Sequence, residues 1–102
     1  MTQPQQWISL LGLAARARKL VTGEELVLKE VRRKSVRLIL LSTDAAEQTK
    51  KKVLDKCGHY NIPVRIVSDR GTLGQAIGKA ERVVIGVMDD GFAKKMTALL
   101  DQ

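Results

Sequence analysis

Residues 21–41 read VTGEELVLKEVRRKSVRLILL, and this one stretch holds a turn, a helix and a strand in succession. Leu20 and Val21 form a very short extended segment that Thr22 and Gly23 close with a turn. Over about residues 24–34, Leu26, Val27 and Val31 recur at helical spacing and are expected to share one face. Val36 and Leu38–Leu41 then make a compact aliphatic run, the pattern of a strand buried on both faces. The helix opens on Glu24 and Glu25 and gathers Arg32, Arg33 and Lys34 at its far end. Acids in a first turn and bases in a last turn both complement the helix dipole. Helix stability alone therefore accounts for that charge order, and any binding role needs a separate argument.

The alternation continues on both sides. Trp7, Ile8, Leu10, Leu11, Leu13, Ala14 and Ala17 predict an amphipathic helix over about residues 5–17. After the central strand, Asp44 with Glu47 three positions on resembles a capping box for a helix over about 45–59, which Asn61 and Pro63 end. A short strand follows over 64–67, then a helix capped by Ser68 or Asp69 and running through Ile77, a strand over 82–87 and a closing helix over 92–100. Strands alternating with helices, without repeats or a low-complexity linker, predict an α/β sandwich with helices on both faces of a small sheet. At 102 residues and 44% hydrophobic content, the chain is expected to be one domain over 1–102 with a packed core.

Several function classes are excluded early. No apolar run approaches the ~20 residues of a membrane span, and the start MTQPQQW has no signal-peptide pattern, so the expected location is the cytoplasm. One cysteine, Cys57, permits no internal disulfide, and one cysteine with one histidine cannot supply a four-ligand zinc site. Cys57 and His59 are two apart on a helix and do not face each other, so no nucleophile and base are read there. The stretch SDRGTLGQAIGKAERVVIG, residues 68–86, spaces its glycines unlike either a dinucleotide fingerprint or a P-loop, and turns and close packing explain them better. Asp44, Asp69, Asp89 and Asp90 each stand between a strand and a helix, where capping is the expected role. No catalytic residue, metal site or cofactor is expected.

Charge is the compositional feature that points to a partner. Eighteen Lys and Arg against eleven Asp and Glu give +7, which suits an anionic partner such as nucleic acid. Residues 1–37 carry eight bases against three acids, a net of +5, while the remainder carries ten against eight, a net of +2. Lys50, Lys51 and Lys52 fan out over about 200° of a helix and read as a solvated face. Arg16, Arg18 and Lys19 differ, because they stand beside the Thr22–Gly23 turn and the free N–H groups that open the next helix.

The segments GLAARARKLVTGEE, LILLSTDAAEQTKKKV, CGHYNIPV and LGQAIGK, spread over about residues 12–92, resemble the kink-turn-binding ribosomal-protein superfamily, most closely its small bacterial YlxQ-like branch. The resemblance implies a three-layer α/β/α sandwich with a small mixed four-stranded sheet. It also implies an RNA-binding signature, G-[AT]-N-E-x-[TV]-K, at the turn into the second helix, and a loop before the last strand that helps grip an extruded base. On this chain Gly23 matches the glycine and Lys29 the lysine; Glu24, Glu25 and Leu26 occupy the small, Asn and Glu positions. The loop corresponds to Ile77, Gly78, Lys79 and Ala80. Asn can donate and accept, whereas ionised Glu25 only accepts and Leu26 does neither, so the family's base reader is not present here.

The expectation is a non-catalytic binder of ribosomal or other structured RNA acting through phosphate contacts. Arg16, Arg18, Lys19, Lys29, Arg32 and Arg33 would supply the charge, Gly23 a close backbone approach and Lys79 a second edge, all converging on one face around the glycine bend. The alternative is a protein-interaction module of the translation or transcription machinery that has lost RNA recognition, anchored on Leu26. An enzyme or an enzyme's substrate-binding domain is the weakest reading.

Overall fold

The computed structural model describes residues 4–102, with side chains from Gln6 onward; the first three residues of the MTQPQQW start lie outside the described residues. The elements run α1 (Pro4–Arg16), β1 (Leu20–Thr22), α2 (Glu24–Arg32), β2 (Leu38–Leu41), α3 (Glu47–Tyr60), β3 (Val64–Ile66), α4 (Arg70–Ala76), β4 (Val84–Val87) and α5 (Asp90–Leu100). The four strands form one mixed sheet in the order β1-β4-β2-β3, with β2 and β3 parallel and the β1–β4 and β2–β4 pairs antiparallel.

The central run LILL behaves as its composition requires. Leu38, Ile39, Leu40 and Leu41 are all fully buried, because helices cover both faces of the sheet. The period-2 alternation divides them. Ile39 and Leu41 join Val84 and Val21 under α2 and α3, where Val27, Val31, Val53 and Cys57 complete one cluster. Leu38 and Leu40 join Ile85, Val87 and Leu20 under α1, α4 and α5, where Trp7, Leu11, Leu73 and Met96 complete the other. The result is a three-layer α/β/α sandwich whose core is split into two sheets of apolar side chains. Leu26 is a correction: it does not share the face of Val27 and Val31 but is 57% exposed, and Leu28 takes the inward position.

Four helices end in the same way. After α1, Lys19 N–H donates to Ala14 O and Arg18 N–H to Ala15 O; after α2, Ser35 and Lys34 donate to Glu30 O and Val31 O. After α3, Ile62 and Asn61 donate to Cys57 O and Gly58 O; after α4, Lys79 and Gly78 donate to Gly74 O and Gln75 O. Each is a Schellman closure, with a six-residue bond enclosing a four-residue one around a left-handed residue: Arg18 (φ 60°), Lys34 (φ 61°), Asn61 (φ 59°) and Gly78 (φ 73°). This explains why α2 stops at Arg32, short of the predicted 34. A left-handed conformation costs a side-chain-bearing residue about 1 kcal/mol. Lys34→Gly is therefore expected to raise stability by about 0.5–1 kcal/mol, read as a higher urea midpoint with an unchanged m-value; an unchanged or lower midpoint would show that the lysine is held there without strain.

Asp69 and Asp89 cap their helices as expected, accepting from Thr72 N–H at 2.7 Å and Phe92 N–H at 2.9 Å. Asp44 does not. The residue before α3 is Ala46, which makes no side-chain cap, and Asp44 sits two residues too early. Its carboxylate instead accepts from Arg70 N–H at 3.1 Å and faces the Arg70 guanidinium at 3.4 Å, tying the β2–α3 loop to the start of α4. Burial pushes the Cys57 thiol up to about 11, and His59 is exposed, edge-on to Tyr60 at a centroid distance of 4.9 Å. No helix among the described residues is long and apolar enough to cross a membrane.

Candidate nucleic-acid interface

The register fixes which connections meet. Thr22 pairs with Ile85, Leu41 with Val84 and Leu41 with Ile66. The β1–α2 turn, the β2–α3 loop, the β3–α4 loop and the α4–β4 loop therefore emerge at one end of the sheet. Leu20, Val87 and Leu38 are neighbours at the other end, into which Arg18, Lys19 and Arg37 lead.

Gly23 shapes the first end. Its φ of 91° lies where side-chain-bearing residues are strained, and a Cβ there would meet nothing within 4 Å, so angle rather than space requires glycine. Its N–H donates to Val84 O at 3.2 Å, which binds the turn to the start of β4, and its carbonyl accepts from Val27 N–H at 2.9 Å. No side chain caps α2. Free N–H groups are consequently presented at this turn.

Glu24 has a tertiary role that composition did not reveal. Thr49 Oγ1 donates to one of its carboxylate oxygens at 2.9 Å and Lys52 Nζ to the other at 3.1 Å. The bonds from Thr49 and Lys52 hold the Glu24 carboxyl below the usual carboxylate range. The first acid of α2 thus clamps that helix to α3 and spends its charge internally. Glu25 is exposed beside it.

Arg16, from the last turn of α1, lines one cleft of about 630 Å³ together with Thr22, Ile77, Gly78 and Lys79. Two residues distant in sequence, Arg16 and Lys79, are brought together here. The shape of the loop depends on Gly74: a Cβ at that position would overlap the Ala80 carbonyl and lie 2.9 Å from Glu81 Cα. Arg82 braces the same loop from beneath, donating to Ala80 O at 3.2 Å and Glu81 O at 2.8 Å. Arg82 also lines a neighbouring cleft with Thr22, Gly23, Thr49 and Arg70. Ala80 is exposed at the tip.

Lys29 and Arg32 line a different concavity, with Glu24, Glu25 and Leu26 of their own helix and Lys52 and Lys56 of α3. The remaining cations stand apart. Arg33 closes the far end of the nine-residue α2, about 15 Å along its axis from Gly23, and is paired with Glu30 at 3.7 Å. Arg18 and Lys19 lie at the opposite end of β1 from Gly23. The expected single face of converging cations is thus corrected to two basic patches at α2, one by Arg16 and Lys79 and one by Lys29 and Arg32, with Arg18, Lys19 and Arg33 outside both clefts. The helix itself separates them, since its bases occupy the last turn. Lys52, Lys56 and Arg82 were missed from sequence; the i, i+4 spacing of Lys52 and Lys56 was the available signal for the first two.

Among the described residues no group of three or more His, Cys, Asp or Glu could hold a metal ion. The family model described as ribosomal protein L7Ae/L30e/S12e/Gadd45 matches residues 5–97. A Bacillus subtilis (strain 168) protein named RNA-binding protein YlxQ is 53% identical over 96 residues, which is 94% of this chain and 96% of that protein. One of the same name from Enterococcus faecium is 42% identical, covering 95% of this chain and 93% of that one. Among solved structures, a Bacillus halodurans C protein described as of unknown function has a TM-score of 0.94 at 62% identity, with 95% of this chain and 98% of that chain covered. A Giardia lamblia 15.5kD RNA binding protein has a TM-score of 0.80 at 17% identity, covering 95% and 83%, a likeness of fold.

Proposed function

This chain belongs to the ribosomal protein L7Ae/L30e/S12e/Gadd45 family, and on that footing we propose that it is a non-catalytic, cytoplasmic RNA-binding protein acting on ribosomal or other structured RNA. Its one domain grips the phosphate backbone without the family's base reader. The observation that carries this reading is the cleft in which Arg16 and Lys79 meet beside the uncapped, glycine-opened start of α2. Cations on two chain segments there flank free backbone N–H groups, an arrangement that suits a phosphate path. Lys29, Arg32 and Lys56 extend the basic surface along α2 and α3; Lys52 contributes less, since Glu24 already neutralises it.

Specificity is expected to be coarse. Phosphate contacts fix register and affinity but carry no sequence information. Glu25 accepts only, and Leu26 presents an apolar surface where a carboxylate would read a purine edge.

If four to six phosphates are contacted, titration of a structured RNA at increasing salt should give a log–log slope of about −3 to −5. Absence of binding at low salt, or affinity independent of salt, would overturn the reading. The second reading, a protein-interaction module serving ribosome- or transcription-associated proteins, draws on the 57% exposure of Leu26.

A further inference from the structure

Two of the basic residues left outside both clefts, Arg18 and Lys19, stand together at the end of α1 beside the start of α5. α1 enters β1 and β4 leaves for α5 at the same end of the sheet, with Met88 N–H donating to Lys19 O at 2.8 Å, so the two helices run antiparallel over one face. Between them lies a groove of about 580 Å³ floored by Leu10, Leu13, Ala98 and Leu99, with Ser9 and Lys95 on its walls. Leu13 is 49% exposed although it lies on a helix that buries Trp7, Leu11 and Ala14. Its position is set by spacing: Leu10 and Leu13 lie three apart on α1, Lys95, Ala98 and Leu99 three and four apart on α5. Side chains at such i, i+3 and i+4 spacing form ridges of the kind that helices pack against.

The charge around the groove selects the occupant. α1 contains no acid, and among the described residues Lys95 is the one charged side chain lining the groove. At the end where α5 begins stand Arg18 and Lys19, and Lys94 neighbours Lys95; among the described residues none of these four forms an ion pair. The nearby acids are already engaged, Asp89 in capping α5 and Asp90 with Arg37 at 3.4 Å. A second copy of this chain is disfavoured, because at +7 it would bring like charges together.

We propose that the α1–α5 groove is a docking site for an amphipathic helix of another protein, with aliphatic side chains at i, i+3/i+4 and i+7 for the leucine floor and acidic side chains flanking them for Arg18, Lys19, Lys94 and Lys95. This goes beyond RNA binding and uses a different surface, so both partners can be held at once. Leu13 is the anchor contact and the lysines orient the incoming helix.

The test titrates the isotope-labelled full chain with two designed helical peptides that share one leucine face and carry either glutamate or lysine at the flanking positions. Amide shift changes confined to α1, the Arg18–Lys19 turn that follows it and α5 with the glutamate peptide, and none with the lysine peptide, are expected. Leu13→Glu and, separately, Lys95→Glu should each weaken the glutamate peptide by about tenfold or more, while structured-RNA affinity changes less than about twofold. The inference is overturned if neither peptide shifts these helices, if both do so equally, or if the shifts map to α2 and α3. It is also overturned if Lys95→Glu weakens RNA as much as Lys79→Glu does, which gives the surface to RNA, or if sedimentation shows a dimer that Leu13→Glu dissolves. RNA binding can fail while peptide docking succeeds, so the two readings are separable.

Discussion

Replacing Arg16 and Lys79 together by glutamate should weaken structured-RNA binding by roughly 10–100-fold at low salt and lower the magnitude of the salt slope by about 2, one unit for each phosphate no longer neutralised. Both side chains line the same cleft, next to the uncapped α2 turn, and among the described residues neither has an acidic partner. The informative control is Arg18→Glu with Arg33→Glu. It removes the same charge from positions outside both clefts, and beyond a screening length of about 10 Å at 0.1 M salt its effect should stay within about threefold. Fluorescence anisotropy at several salt concentrations reads both quantities. Equal losses in the two double variants would mean that total charge, not the cleft, determines binding.

Gly74→Ala should be the most damaging single-methyl change in the chain. Alanine in place of a helical glycine ordinarily gains about 1 kcal/mol. Here the added carbon would overlap the Ala80 carbonyl and crowd Glu81 Cα, both backbone atoms of a loop that Arg82 already braces. Overpacking against a backbone that cannot yield costs about 1–3 kcal/mol, so the clash wins. A lower urea midpoint is expected, and RNA affinity should fall with it because Lys79 moves with the loop. Gly71→Ala is the matched contrast: its Cβ would meet only Asp69 Oδ1, at an ordinary 3.4 Å, and that variant should be neutral or stabilised. Alanine at 74 without loss of stability would mean that the loop is not seated on α4 as described.

The layered fold was legible because both periodicities are strong in this chain. LILL between two helical patterns could only be a strand covered on each side, and the burial of all four residues follows from that. Four of the five helix ends fall within one residue of the expected boundary, and the exception is α2. Asn61 and Gly78 are residues that favour a left-handed backbone, whereas Lys34 adopts the same geometry without the usual residue type, and α2 accordingly ends before the predicted boundary. Asp44 looked like a cap because Glu47 follows at the right distance, but a turn closed by Ala45 N–H on Ser42 O delays α3 and frees the carboxylate for Arg70.

At the candidate site, sequence located the glycine turn and the lysine loop through the family signature but misjudged which cations keep them company. Contacts between distant segments decide that. Arg16 reaches the loop because α1 packs on α4, where Gly12 lets the helix approach the Ala76 carbonyl. Arg33 cannot, because a helix length intervenes. Glu24 illustrates the same limit: as a first-turn acid it was correctly placed, yet its partners Thr49 and Lys52 lie on another helix.

The central claim is that RNA lies across the end of the sheet where the β1–α2 turn meets the α4–β4 loop. Ultraviolet crosslinking of a bound structured RNA to the full chain, with the crosslinked peptides identified by mass spectrometry, tests it most directly. Crosslinks are expected on the peptides that carry Arg16 and Ile77 to Lys79. Crosslinks confined to Arg33 to Arg37, or to α5, with none at the α4–β4 loop, would contradict it.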